Sequence, residues 1–318
     1  MISCTEFIPL YSEFFKFVDK IGGHDAVLAC WDHISDLGMG DGTNPNSLRS
    51  FIERDTRGAY FGAVEYWNHT LTEEACDLRK VHDFKNHCTY THMRHCPSRG
   101  MLNALSHVEP YYDYCGHCDR LYQRVLDDYG LVLEFDKESR YDRAECEFYL
   151  YEVGKKPDGA KEITPDKIVV DMKAEDNKYL HRDFHTLCDA AMKYCINTFG
   201  KETLIEFLSE FAKSYFAPVV ERIKSDGLVA VSAWLKKLYE SEEASELLHI
   251  EMQDDRLTAR IDRSPSISFM RSLGYEPCDG QIEQTRTVYK VIAEEAGLGF
   301  ELLEYEPDGR AKYTFFVK

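Results

Sequence analysis

The last thirty residues of the chain repeat an earlier stretch without a gap. That limits the folds open to it more than any other feature. YQRVLDDYGLVLEFDKESRYDRAECEFYLY, residues 122–151, aligns with YKVIAEEAGLGFELLEYEPDGRAKYTFFVK, residues 289–318, at an offset of 167. Tyr122 meets Tyr289, Gly130 and Leu131 meet Gly297 and Leu298, Arg143 and Ala144 meet Arg310 and Ala311, and Phe148 meets Phe315. Upstream, HCPSRGML (95–102) falls on RSPSISFM (263–270), which sets Pro97 and Ser98 on Pro265 and Ser266. Near the start, VDKIGGHDAVLACW resembles INTFGKETLIEFLS with Gly22 on Gly200, so the first copy is about ten residues longer. The turn-rich GMGDGTNPNS (38–47) reads as the insertion. A fixed period of this kind signals a duplicated structural unit. We therefore expect a first copy over 1–153, a linker over 154–177 and a second copy over 178–318.

Each copy reads in one order. A helix runs to a glycine, further helices follow, and two extended stretches with strand-like alternation come next. A helix and two short strands close the copy. Helices and antiparallel strands in separate blocks predict an α+β fold, here two tandem copies of a helical layer packed on a small antiparallel sheet. The pair would imitate a dimer within one chain, and the sequence leaves the oligomeric state open.

A net charge of −18 repels a phosphate backbone, so nucleic acid is not an expected partner. No apolar run reaches the roughly 20 residues needed to span a bilayer, so neither is a membrane. The N-terminal MISCTEFIPLYSEFFKF has no basic region followed by a clean apolar one, as a secretion signal requires. Eleven cysteines, an odd number without a regular framework, fit reduced thiols and a cytoplasmic location.

The repeat serves as an internal control on the cysteine- and histidine-rich segments HCTYTHMRHCPSRG (87–100) and YYDYCGHCDRLYQ (111–123). Cys115 falls on Ile282, an apolar exchange that favours packing. His117 falls on Gln284, Cys118 on Thr285, Asp119 on Arg286, His92 on Arg260, His95 on Arg263, Cys96 on Ser264 and Cys146 on Tyr313. The first copy thus concentrates soft and titratable groups. On a helix Cys115, Cys118, Asp119 and Tyr122 share one face; on a strand Cys88, Tyr90, His92, Arg94 and Cys96 do. A strand facing a helix would bring His92 and Cys96 against Cys118 and Asp119, a thiolate, imidazole and carboxylate set suited to a divalent metal such as Zn or Mn. Alternatively Cys96, between His95 and Pro97 with Arg94 and Arg99 nearby, or Cys115, near the start of its helix, is a candidate nucleophile whose pKa its surroundings would lower. Elsewhere His181, His185 and Asp189, spaced i, i+4, i+8, form one helical stripe that would hold a metal, line a polar pocket or face solvent.

HCPSRG, YYDYCGHCD and the closing DRAECEFYL resemble the bacterial L-2-amino-thiazoline-4-carboxylic acid hydrolases, relatives of 4-vinyl-reductase-type small-molecule-binding domains. The resemblance covers most of the first copy and carries onto Cys96, Pro97, Cys115, Asp119, Cys146 and Phe148. It implies a helix-plus-sheet domain with a ligand pocket between the layers, and ring opening by water. The chain departs from the family in being double. The expectation is a hydrolase acting on a small, cyclic, polar metabolite. Cys96, Cys118 and Asp119 would be the reactive or ligating set, and His92 or His95 the acid/base. Arg99 would anchor a substrate carboxylate, with Tyr111, Tyr112 and Tyr122 lining the pocket. The rival expectation is a non-enzymatic sensor or carrier of a small molecule.

Overall fold

A computed structural model describes residues 1–136 and 144–318; Arg143 of the repeat lies outside them. The fold is α+β, with two antiparallel sheets. The chain opens with α1 (Phe7–Ile34), α2 (Leu48–Arg54) and α3 (Ala59–Glu73), then β1 (Asp77–Asp83) and β2 (Cys88–His95). Helices α4 (Pro97–Ala104) and α5 (Gly116–Leu126) lead to β3 (Leu131–Asp136), β4 (Cys146–Glu152) and β5 (Ile168–Met172). The second half runs α6 (Phe184–Phe199), α7 (Lys201–Tyr215), α8 (Ala217–Asp226), α9 (Leu228–Ser241), β6 (Leu248–Met252) and β7 (Arg256–Ile261). It closes with α10 (Pro265–Ser272), α11 (Gln281–Glu295), β8 (Leu298–Tyr305) and β9 (Ala311–Val317).

The strand orders are β3-β4-β2-β1-β5 and β8-β9-β7-β6, the same order with β5 added at one edge. Local signals repeat with it. Cys96 caps α4 by accepting the Arg99 amide, Ser264 caps α10 by accepting that of Ile267, and a proline opens both helices. Tyr122 of α5 packs its ring 5.0 Å from that of Trp67 in α3, and Tyr289 of α11 lies 5.0 Å from Trp234 in α9. The first glycine match shifts by one residue. Gly23 (φ 75°, ψ 175°) and Gly200 (φ 98°, ψ 163°) both break a helix in a conformation that a side chain forbids, so Gly23 rather than Gly22 is equivalent to Gly200.

The compact units do not follow the expected boundaries. Unit I comprises Gly22–Ser106 and Pro110–His181; unit II comprises Met1–Ile21, His107–Glu109 and Arg182–Lys318. The first half of α1 thus belongs with the second half of the chain. Its aromatic face explains why: Phe7 stacks on Phe184 at 4.3 Å, and Phe14 meets Phe207 edge-on at 5.0 Å. The segment expected as a linker is also only partly one, because Ile168–Met172 pair antiparallel with β1 as an exposed edge strand.

In unit I the inner sheet face is identified by Thr89, whose hydroxyl lies 2.6 Å from that of Tyr60 in α3. Register then places Leu78, Lys80 and His82 of β1, Thr89, Thr91 and Met93 of β2, and Phe148 and Leu150 of β4 on that face. In unit II the corresponding face of the two hairpin strands holds Leu248, Ile250 and Met252, then Leu257, Ala259 and Ile261. The face of these two strands is mixed in unit I, where Lys80, His82, Thr89 and Thr91 lie among apolar residues, and apolar in unit II.

Candidate functional site

The cysteines of unit I gather only in part as expected. Cys96 sits in its cap with its thiol pushed up to about 12 by burial, and the Cys146 and Cys115 thiols and the Glu74 carboxylate act in the same direction. Cys76 is held well above its ordinary value by burial, with Glu74 and Cys96 adding to it. This environment withholds the thiolate that a nucleophile needs. Arg94 does not supply the missing charge, because its guanidinium is bound to Asp77 at 2.6 Å and Asp171 at 2.9 Å. The exchange of Cys96 for Ser264 is explained by capping, which either side chain performs. In the folded protein at pH 7.5, alkylation of Cys96 by iodoacetamide should run roughly three orders of magnitude slower than in the unfolded chain. Peptide mapping over a time course measures this, and a rate equal to the unfolded one would restore the nucleophile.

The other expected residues disperse. His92 lies three positions from Thr89, hence on the outer sheet face, where its Nε2 is 2.6 Å from Glu145. Exposed His95 covers the first turn of α4, where a Cβ on Gly100 would fall 2.1 Å from its Nε2. Cys118 and Asp119 lie half-buried in the first turns of α5, with Cys118 Sγ 3.4 Å from His117 Nε2. Asp119 there suits the positive end of the helix dipole. Cys115 is the half-buried residue preceding α5, not a packed core position. Arg99 donates its amide to the Cys96 cap. Tyr111 is buried with its hydroxyl 3.1 Å from His24 Nδ1, Tyr112 is 65 % exposed, and Tyr122 belongs to the repeated aromatic contact with Trp67. Among the described residues, no cluster of three metal-ligating groups contains Cys96, Cys118, Asp119, His92 or His95.

The stripe His181, His185 and Asp189 does not converge either. His181 Nδ1 bonds Glu73 at 2.7 Å in unit I, and His185 Nε2 bonds Glu242 at 3.0 Å in unit II. Asp189, fully buried, accepts the Cys278 amide at 3.0 Å and the Gln281 side-chain amide at 2.6 Å, and so anchors the segment before α11 onto α6. The partner chosen by His185 forms a different cluster. Cys4, His185 and Glu242 offer a sulfur, a ring nitrogen and a carboxylate oxygen within 4.8 Å of one another, all three buried. Burial alone would raise Glu242, but His185 and the Cys4 amide hold it down to about 2.

The polar centre of unit I lies on β1. Lys80 is only 2 % exposed, and its Nζ donates to Asn68 Oδ1 of α3 at 2.6 Å. Among the described residues it makes no ion pair. Burial brings its ammonium down to about 8, against opposing pulls from Cys76 and Glu65. Two residues along, His82 Nδ1 is 2.9 Å from Thr89 Oγ1, and burial followed by the Lys80 charge lowers the imidazole to about 4. Tyr60, whose hydroxyl meets the same Thr89, stacks on His87 at 5.1 Å. An unpaired ammonium beside neutral donors and acceptors is a costly arrangement for packing alone, and it offers one positive charge to an anion or one titratable amine to a reaction.

The sequence pattern around Lys80 does not single it out. In DLRKVHD, alternation puts Lys80 with Leu78 and His82, but the other face, with Arg79 and Val81, is equally mixed. Comparison with family models, with curated proteins and with solved structures finds no match to this chain.

Proposed function

We propose that unit I binds a small anionic metabolite at its helix–sheet interface, with Lys80 as the charge that recognises it. The observation carrying this reading is the buried ammonium of Lys80, held by a neutral amide in a layer whose counterpart in unit II is apolar. An arriving carboxylate would supply the counter-charge that the ammonium lacks, and a charge-assisted bond in a low-dielectric layer is among the stronger polar contacts. His82 and Tyr60 are neutral at pH 7 and would bind uncharged parts of the ligand through hydrogen bonds. Unit II, with apolar residues on the same strands, would serve as the structural partner.

A second reading is hydrolysis, favoured by the Lys80 pKa of about 8, which leaves part of the amine free to accept a proton near neutral pH. The resemblance nominates L-2-amino-thiazoline-4-carboxylate as the probe. Thermal melting of wild type and Lys80→Met with this compound, and with acetate and pyruvate, tests binding. The wild type should be stabilised by at least one probe and Lys80→Met by none; equal stabilisation of both would overturn the role of Lys80. Opening of the thiazoline ring adds water across its carbon–sulfur bond and frees a thiol, which a colorimetric thiol reagent detects. Opening at the ring carbon–nitrogen bond instead frees an amine, which an amine reagent detects; stabilisation with release of neither thiol nor amine assigns binding alone.

A further inference from the structure

We propose that Cys4, His185 and Glu242 are the three protein ligands of a zinc ion buried in unit II. The donors of a tetrahedral zinc lie about 3.3–3.6 Å apart. Here the three ligand atoms already lie within 4.8 Å of one another, with His185 Nε2 3.0 Å from Glu242 Oε2. One sulfur, one nitrogen and one oxygen form a set that zinc accepts, whereas calcium and magnesium require oxygen. A thiolate and a carboxylate together neutralise the dication, so the loaded cluster places no net charge in the interior.

The surroundings hold the donors in place. Glu242 caps the C-terminus of α9, and its second oxygen, Oε1, accepts the Cys4 amide at 2.6 Å, so the ligating carboxylate also orients the cysteine turn. That turn is itself fixed by a capping box between Ser3 and Glu6. Arg182, a cation that acts on Cys4, is directed at the Glu242 carbonyl at 3.2 Å and the Glu243 carboxylate at 3.4 Å. Metal binding exchanges the thiol proton, and any proton shared between the imidazole and the carboxylate, for the ion and releases them to solvent. Three protein ligands leave the fourth position of the tetrahedron to a water, and because every protein ligand is buried the ion serves the fold rather than a substrate. It ties the N-terminal turn, α6 and the end of α9 together, and is independent of ligand binding in unit I.

The test is titration of the full chain, first stripped with chelator, with Co²⁺ alone. One equivalent should bind with a thiolate-to-cobalt charge-transfer band that Zn²⁺ then abolishes. Cys4→Ser should remove the band and weaken binding at least about 100-fold, while Cys96→Ser should leave both unchanged. Absence of a band in the wild type, or a band lost in Cys96→Ser and kept in Cys4→Ser, overturns the proposal. Should Cys4→Ser fail to fold, X-ray absorption of the zinc-loaded wild type decides: one sulfur at about 2.3 Å supports the site, and none or several refutes it.

Discussion

Lys80→Met should make the protein more stable at pH 7, by about 3 kcal/mol, while removing its response to anionic probes. The ammonium is brought from an ordinary 10.5 to about 8 by burial, and a displacement of that size costs the folded state about 3 kcal/mol whenever the amine is charged. Methionine is a volume match, and Asn68, left partly exposed, can hydrate once its donor is removed. The pH dependence has a definite sign. Between pH 8 and 10.5 the unfolded chain holds the Lys80 proton and the folded chain does not, so the wild type gains stability as pH rises across that window. The deficit of wild type against Lys80→Met is therefore full below pH 8 and gone near 10.5. Denaturant midpoints of both proteins at pH 7 and pH 10 measure it. A variant less stable than wild type at pH 7 would make Lys80 a structural residue and remove the basis for the proposed site. Few core substitutions stabilise a protein by this much, and those that do so at the expense of function mark a site retained for its chemistry.

Asp189→Ala should have a comparably large effect of opposite sign, a loss of about 3–5 kcal/mol with no change in metal content. Truncation strands the half-buried backbone amide of Cys278 and the buried side-chain amide of Gln281, both of which donate to this carboxylate, and it removes the ion-pair partner of Lys193, 3.3 Å away, which keeps its bond to the Glu276 carbonyl. Chemical denaturation gives the stability and elemental analysis of the folded protein gives the metal. Loss of metal with stability intact would return Asp189 to the ligand stripe that its spacing first suggested.

The candidate site was legible in the sequence to an uneven degree. The repeat sets the soft and titratable groups of the first copy apart from their counterparts, but it points to cysteines and not to the residues that line the inner sheet face. Cys96 and Ser264 illustrate the reason: a one-for-one comparison takes thiol against hydroxyl as lost reactivity, whereas both accept the same amide at the start of a helix. His181, His185 and Asp189 show a related failure. Spacing places three side chains on one helical face, but it does not say which carboxylate each will meet, and each found a different partner.

The sequence by itself determined the α+β class and the order of helices and strands apart from β5, which fell in the expected linker. These follow from short-range properties: hydrophobic period, caps such as Cys96–Pro97 and Ser264–Pro265, and turns that only glycine allows, as at Gly23 and Gly200. Only the tertiary structure decided which side of β1 faces inward. The strand DLRKVHD is mixed on both faces, and the addition of β5 at its edge and α3 over its inner side is what buries Lys80. The tertiary structure also decided that residues 1–21 join the second half of the chain, and that Cys4 meets a carboxylate 238 positions away. Those outcomes depend on which apolar surfaces are covered once all elements are present, and burial is a property of the assembled chain that no local pattern contains.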